Sequence, residues 1–280
     1  MGEHMERKKI TIRDILKMKG NKKIVAITSY DYPTTKIVDE TGVDIILVGD
    51  SLGMVVLGYP STLQVSMAEM LIHTKAVCNA KPNALVVSDM PFMSYEYSKE
   101  KAILNASRFL RIGSDAVKLE GGSEYKEIIK SIVNSGIPVM GHIGLTPQKH
   151  KQIGGYRLLG KTYSEAKEIL NDALQLEDSG IFSLVIEYTA YEVAKKITEK
   201  ISIPTICIGS GPYCDGQIMV INDLLGLGDY SPEFAKKYVD LKSVIKEAIL
   251  NYKTEVESGK FPEKYWGMKN NEDKKKFMEE

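Results

Sequence analysis

Four segments of the chain run out of a short apolar stretch and stop at a carboxylate. They are Ile45-Ile46-Leu47-Val48-Gly49-Asp50, Leu85-Val86-Val87-Ser88-Asp89, Ala116-Val117-Lys118-Leu119-Glu120 and Leu184-Val185-Ile186-Glu187. A fifth, Ile137-Pro138-Val139-Met140-Gly141-His142, stops at a histidine. If these are parallel strands of one barrel, their ends meet at one mouth. Carboxylates crowded there repel one another and lose water. That is tolerated when a cation binds between them or when one of them keeps a proton. The pattern points to an enzyme, and to one that uses a metal.

Asp50 and Ser51 lie between Gly49 and Gly53, where the backbone can approach a ligand closely. Asp89, one strand on, joins Asp50 as an oxygen ligand for a hard cation. Mg²⁺ takes one or two carboxylates together with waters and substrate oxygens. Lys118 and Glu120 are two residues apart and so share one face of their strand. Facing inward, Lys118 holds an anionic substrate beside the aspartates; on an edge strand, both would sit in solvent. Glu187 ends a strand across the mouth and suits general-base work, the alternative being a surface turn. His142 either bonds substrate or a metal-bound water, or is structural.

Other residues carry weaker signals. Gly209-Ser210-Gly211-Pro212 follows the seventh strand, where barrels hold phosphates but also turn tight corners. The stretch from Gln148 to Thr162 carries Lys149, His150, Lys151, Arg157 and Lys161 around Gly154-Gly155. It is either a lid that brings positive charge over the mouth or a solvated loop. His73 stands in a helix of apolar period and reads as a packed residue.

The elements that must position these side chains alternate along the chain. Thr11 to Lys19 reads as an entry helix, capped by Thr11 and stopped by Gly20. Strands are expected at Ile24–Thr28, up to Asp50, up to Asp89, up to Glu120, near His142, up to Glu187, at Thr205–Gly209 and at Gln217–Ile221. Helices are expected between them, one opening with the capping box Ser66-Met67-Ala68-Glu69 and the last running from Pro232 to Tyr252. The strands are short, apolar and uninterrupted, as burial on both faces of a parallel sheet requires. Eight such units close naturally into a TIM (β/α)8 barrel. The alternative is an open doubly wound sheet. Against it, Thr28-Ser29-Tyr30-Asp31 follows the first strand where that fold carries a glycine-rich turn.

The chain has 280 residues, with 37 basic side chains against 37 acidic ones. That length suits one domain over 1–280, with 1–7 and about 270–280 flexible. The balance of charge gives no reason to expect nucleic acid or an anionic membrane as partner. No apolar run approaches the roughly 18 residues that span a bilayer. The N-terminal stretch is charged and unlike a secretory signal. Three cysteines, Cys78, Cys207 and Cys214, without metal-type spacing read as reduced thiols of a cytoplasmic protein. Cys207 falls in an apolar strand, and Cys214 in a loop near the expected mouth.

Several stretches in one order resemble the ketopantoate hydroxymethyltransferase family, whose barrel belongs to the pyruvate/phosphoenolpyruvate superfamily. They are Thr28-Ser29-Tyr30-Asp31-Tyr32, Val48-Gly49-Asp50-Ser51-Leu52-Gly53-Met54, Ser61-Thr62-Leu63 and Asp89-Met90-Pro91-Phe92-Met93. Val117-Lys118-Leu119-Glu120-Gly121-Gly122, Gly141-His142-Ile143-Gly144-Leu145-Thr146-Pro147-Gln148 and Asp215-Gly216-Gln217-Ile218 complete the set. The resemblance implies one Mg²⁺ per subunit on Asp50, Asp89 and Glu120. It implies keto-acid contacts at Asp50, Ser51, Asp89 and Lys118, and Glu187 as the base. It further implies hydroxymethyl transfer from 5,10-methylenetetrahydrofolate to 3-methyl-2-oxobutanoate, in pantothenate and coenzyme A biosynthesis, by a homodecamer. Two departures stand out. Tyr188-Thr189-Ala190 follows Glu187 where the family carries a proline, so the loop that aims Glu187 is expected to be less fixed. Gly209-Ser210-Gly211 replaces a more usual Gly-Ala-Gly.

Two other readings use the same residues. A carbon–carbon lyase or phosphonate mutase of that superfamily would add a thiol or a phosphate cradle at the mouth. A non-catalytic metabolite sensor would keep Asp50 and Asp89 without needing Glu187.

Overall fold

The computed structural model describes residues 8–228 and 231–280. The expectation of a flexible 1–7 lies outside the described residues. Eight parallel strands close into a barrel in sequence order. They are β1 (Ile24–Thr28), β2 (Ile45–Val48), β3 (Leu85–Asp89), β4 (Ala116–Glu120), β5 (Val139–Gly144), β6 (Ser183–Glu187), β7 (Thr205–Ile208) and β8 (Gly216–Met219). The helices that precede, link and follow them are α1 (Ile12–Met18), α2 (Tyr32–Glu40), α3 (Leu52–Val55), α4 (Met67–Asn79), α5 (Lys99–Arg111) and α6 (Lys126–Asn134). They continue with α7 (His150–Ile153), α8 (Tyr163–Asp178), α9 (Tyr191–Lys200), α10 (Ile221–Leu225), α11 (Leu241–Glu257) and α12 (Asn271–Glu279).

Local chemistry sets the boundaries. The Thr11 side chain accepts the Asp14 N–H while Asp14 reaches back to Thr11, a capping box that starts α1. Ser66 and Glu69 do the same for α4. Each such cap satisfies backbone donors that helix geometry leaves unpaired.

The strands alternate between two apolar cores. Residues such as Ile24, Ile45, Leu47, Leu85, Val87, Met140, Val185 and Ile206 form one buried cluster inside the barrel, which Ile15 of α1 joins as a plug. Outward-facing residues such as Ile46, Val86, Val117, Leu119, Leu184 and Ile186 form the second cluster with the surrounding helices. The inward face of β4 therefore carries Ala116, Lys118 and Glu120 along one line. Register then sets neighbours: Asp89 lies beside Lys118, Glu120 beside His142, and Gly144 beside Glu187.

Several expectations are corrected. Cys207 and Cys214 are joined as a disulfide, leaving Cys78 as the free cysteine among the described residues. The physical reason is the short return from the end of β7 to the start of β8. It occupies 209–215 and lays Cys214 back against β7. Cys214 is consequently buried beside the barrel wall and not at the mouth. Asp215 locks the same return by accepting from the Thr205 N–H, the Gly20 N–H and Lys19. The last long helix is α11, Leu241–Glu257, and not Pro232–Tyr252. Phe234 instead packs its ring 5.3 Å from that of Tyr188. The 270–280 segment, expected to be frayed, forms α12. No helix among the described residues is long and apolar enough to cross a membrane.

The plug is testable. Ile15→Ala deletes a fully buried side chain at the barrel floor. It should lower the free energy of unfolding by about 2–5 kcal/mol in a chemical denaturation series. A loss below about 1 kcal/mol would mean that α1 is peripheral to the core.

Candidate active site

The strand ends bring Asp50, Asp89, Lys118, Glu120, His142 and Glu187 to one end of the barrel. The first five are buried, and the Glu187 side chain is 17% exposed. Lys118 points inward, on the same face as Glu120. Its Nζ donates to Asp89 Oδ1 at 2.7 Å. The other oxygen of Asp89 accepts the backbone N–H of Asp50 at 3.0 Å. Thus one lysine and one main-chain donor fix Asp89, and Asp89 in turn fixes the end of β2.

His142 links two carboxylates. Its Nδ1 lies 3.5 Å from Glu120 Oε1 and its Nε2 lies 3.1 Å from Glu187 Oε2. These are ion-pair separations rather than aligned hydrogen bonds, since both ring nitrogens lack a well-directed partner. Burial and the charge of Lys118 push the imidazole pKa down, but Glu120 and Glu187 outweigh them and hold it up at about 9. The ring stands between the two carboxylates and within reach of both.

Acidic groups outnumber basic ones here: Asp50, Asp89, Glu120 and Glu187 share Lys118 and His142. Burial raises the Asp50 pKa well above the usual carboxylate range, and Asp89 and Glu120 raise it further. Burial also opposes ionisation of Glu120, but His142 and Lys118 more than offset it, so that carboxyl is held below its ordinary value. Lys118, which burial would neutralise, is kept charged by Asp89, Glu120 and Asp50.

Such a site fits a hard divalent cation by its donors, which are buried carboxylate oxygens in excess of positive charge. Among the described residues, no three or more His, Cys, Asp or Glu side chains are gathered at metal-ligand spacing. Asp89 is engaged by Lys118, and Glu120 by the backbone N–H of Gln148 at 2.9 Å. Asp50 and Asp89 are joined through the Asp50 N–H, and Glu120 is linked to Asp50 through Gln148.

Sequence reasoning missed three contributors. Gln148 is buried among the carboxylates and donates to Asp50. Tyr95 donates its hydroxyl to the Glu120 carbonyl at 2.8 Å. The Tyr30 hydroxyl lies 2.9 Å from Ser51 Oγ, which places that serine at the rim. Gln148 and Tyr30 stand within stretches that carried the family resemblance, and that was the available signal. Tyr95 had none.

The loop after Glu187 is better fixed than its missing proline suggested. Tyr188 adopts the left-handed region at φ 40°, a conformation that must be held in place. Its N–H donates to the Ile208 carbonyl and its carbonyl accepts from Leu159. Ala190 donates back to Leu159, and Thr189 donates to Ser210 Oγ. Ser210, expected in a phosphate turn, instead braces this loop by donating to the Ile186 carbonyl. A Cβ on Gly144 would fall 2.3 Å from the Glu187 carbonyl, so only glycine fits beside Glu187. Gly53 likewise serves packing, because a Cβ there would meet Val65 at 2.4 Å.

The 148–162 stretch is less positive than expected. Lys149 pairs with Glu124 and covers the Tyr125 ring, and Arg157 pairs with Glu165. His73 is packed as read, with Nδ1 against the Tyr30 carbonyl.

The closed parallel barrel with polar chemistry at the strand ends is an enzyme fold. Solved proteins of the PEP mutase/isocitrate lyase superfamily share this fold. A 2,3-dimethylmalate lyase of that superfamily aligns with TM-score 0.62 over 88% of this chain and 85% of that one, at 16% identity. A phosphonopyruvate hydrolase solved with oxalate and Mg²⁺ aligns with TM-score 0.60 over 78% and 84%, at 11% identity. The sequence model of the ketopantoate hydroxymethyltransferase family matches residues 9–264, and the chain belongs to that family. The 3-methyl-2-oxobutanoate hydroxymethyltransferase of Hyperthermus butylicus is 58% identical over 269 residues, covering 95% of this chain and 93% of that protein.

The buried pair makes a clear prediction. Lys118→Met strands Asp89 without its cation and should destabilise the fold by about 3–5 kcal/mol. Adding Asp89→Asn should recover part of that loss. A double-mutant cycle in denaturant reads the coupling, and additive losses would mean that the two side chains act independently.

Proposed function

We propose that this chain catalyses transfer of a hydroxymethyl group from 5,10-methylenetetrahydrofolate to 3-methyl-2-oxobutanoate, with Mg²⁺ as its cation. One water is consumed, and the products are ketopantoate and tetrahydrofolate. The observation that carries this reading is the gathering of Asp50, Asp89, Glu120 and Glu187 around one lysine and one histidine, an acidic cluster that a divalent cation would balance. The names borne by family relatives supply the substrate, and a barrel of the same fold with oxalate and Mg²⁺ supports the type of ligand.

Asp50 and Asp89 would hold the cation, with Glu120 as a third oxygen donor. When bound, it would neutralise the keto-acid carboxylate and polarise the adjoining carbonyl. Lys118 adds a fixed positive charge where negative charge develops on the keto oxygen. Ser51, tethered by Tyr30, orients the acid group. Glu187 removes the C3 proton, and His142 keeps that carboxylate aimed. The C3 carbon then bonds to the one-carbon unit as one of that unit's two bonds to folate nitrogen breaks, and the freed nitrogen takes up the proton removed from C3. The second carbon–nitrogen bond breaks as water supplies the hydroxyl oxygen, its proton passing to the other nitrogen.

A lyase or mutase reading finds less support. Cys207 and Cys214 are tied together away from the mouth, and the Ser210 hydroxyl is occupied by backbone partners. A sensor would not need the Gly144 cradle and His142 pairing that aim Glu187.

The same reading places the protein in pantothenate and coenzyme A biosynthesis, in the cytoplasm, as a homodecamer. Self-association is supported by α11, which buries none of its residues and exposes Val244, Ile245, Ile249, Leu250 and Tyr252.

Two predictions follow the assigned roles. Asp50→Ala and Asp89→Ala should each abolish Mg²⁺-dependent binding of 3-methyl-2-oxobutanoate in calorimetry while the circular dichroism stays native. Unchanged affinity in both would remove the cation from these residues. Glu187→Gln should still bind the acid with Mg²⁺ but exchange its C3 proton into deuterated water about 10²–10⁴ times more slowly. Exchange retained in Glu187→Gln and lost in His142→Gln, followed by proton NMR, would transfer the base role to His142.

A further inference from the structure

Gln148 opens the segment after β5 and is 4% exposed, with its amide and its backbone N–H all engaged. The backbone N–H donates to Glu120 Oε2 at 2.9 Å. The side-chain amide nitrogen donates to Asp50 Oδ2 at 2.9 Å and to the Met90 carbonyl at 3.1 Å. Its Oε1 accepts from the Tyr95 hydroxyl at 3.0 Å, and the same hydroxyl reaches the Glu120 carbonyl. These partners fix which way the amide points. Turned over, Oε1 would face an Asp50 oxygen and a carbonyl, setting acceptor against acceptor. One residue thus holds two carboxylates that come from separate strand ends.

We propose that Gln148 is a positioning residue for the cation site: it fixes Asp50 and Glu120 in the orientation that receives the divalent ion, without touching substrate. The inference rests on the metal reading of the preceding subsection. The choice of side chain agrees with it. A lysine here would supply the missing positive charge itself and compete with the cation. A glutamate would add a further repulsion. A glutamine provides directed donors at no charge, so the carboxylates are held and the excess negative charge remains for the ion. Partners that orient metal ligands in this way commonly contribute 10–100-fold to metal affinity. If Gln148 only tied its loop to the barrel, its loss would lower stability and leave the affinity of the folded protein for the ion unchanged.

The test is a calorimetric titration of Mg²⁺ alone into wild type and Gln148→Met, both shown to be folded by circular dichroism. Methionine keeps the length and volume but removes the donors. The dissociation constant should rise about 10–100-fold. The Mg²⁺ concentration for half-maximal C3 proton exchange should rise by the same factor, with most of the exchange rate regained at saturating Mg²⁺. Equal Mg²⁺ affinity in the two folded proteins overturns the inference, even if the melting temperature falls. A wild type that takes up no Mg²⁺ overturns the metal reading, and this inference with it. Should Gln148→Met fail to fold, Tyr95→Phe serves in its place. Losing that hydroxyl leaves Oε1 without its donor and loosens the amide, and should weaken Mg²⁺ binding about tenfold, the low end for such supporting contacts. Undiminished affinity in Tyr95→Phe counts equally against the proposal.

Discussion

The mouth of this barrel depends on keeping like charges together out of water. Four carboxylates end adjoining or facing strands, and burial removes the water that would screen them. The fold answers with fixed partners. Lys118 and a backbone donor hold Asp89, His142 stands between Glu120 and Glu187, and Gln148 supplies neutral donors to Asp50 and Glu120. The carboxylates outnumber their cationic partners, and burial, with Asp89 and Glu120 nearby, raises the Asp50 pKa well above the usual carboxylate range. A site balanced by its own side chains would bind a cation weakly. This one retains the field that a divalent ion would neutralise.

Everything beneath the mouth serves that arrangement. The apolar barrel interior, plugged by Ile15, sets strand register, and register decides that Asp89 meets Lys118 and that Glu120 meets His142. A slip of one residue would turn Lys118 and Glu120 outward into the helix layer. On the far wall, Glu187 is aimed by different means. Tyr188 is held in an unusual conformation by Ile208 and Leu159, Thr189 leans on Ser210, and Gly144 leaves room for the Glu187 carbonyl. Hydrogen bonds hold this loop without a proline. They also tie the end of the 148–162 stretch to the base loop, while Gln148 ties its beginning to the carboxylates.

Most of this was legible in the sequence because it is local. Ile24–Thr28 and Tyr191–Lys200 are observed at the boundaries that alternation and helical period indicate. That Lys118 and Glu120 share one face followed from a two-residue spacing, and closure of the barrel turns that face inward. What escaped depends on contacts between distant residues. Gln148 meets Asp50, 98 positions away, and nothing in its neighbourhood marks that meeting. The disulfide needs the short parallel return from β7 to β8 before its cysteines become neighbours. The helical pattern from Pro232 onward yields to tertiary packing, with Phe234 set against Tyr188 and over Gly209. The identity of the donated carbon unit is carried by family resemblance and not by any residue of the mouth.

The central claim is that these carboxylates and a divalent cation together labilise the C3 proton of a 2-oxo acid. Its most direct test follows that proton by NMR in the wild-type protein, with 3-methyl-2-oxobutanoate in deuterated water and no folate present. The account expects enzyme-dependent exchange with Mg²⁺, loss of that exchange with chelator, and its return when Mg²⁺ is restored. Exchange that is equally fast in chelator, or absent with Mg²⁺ at saturating acid, would contradict it.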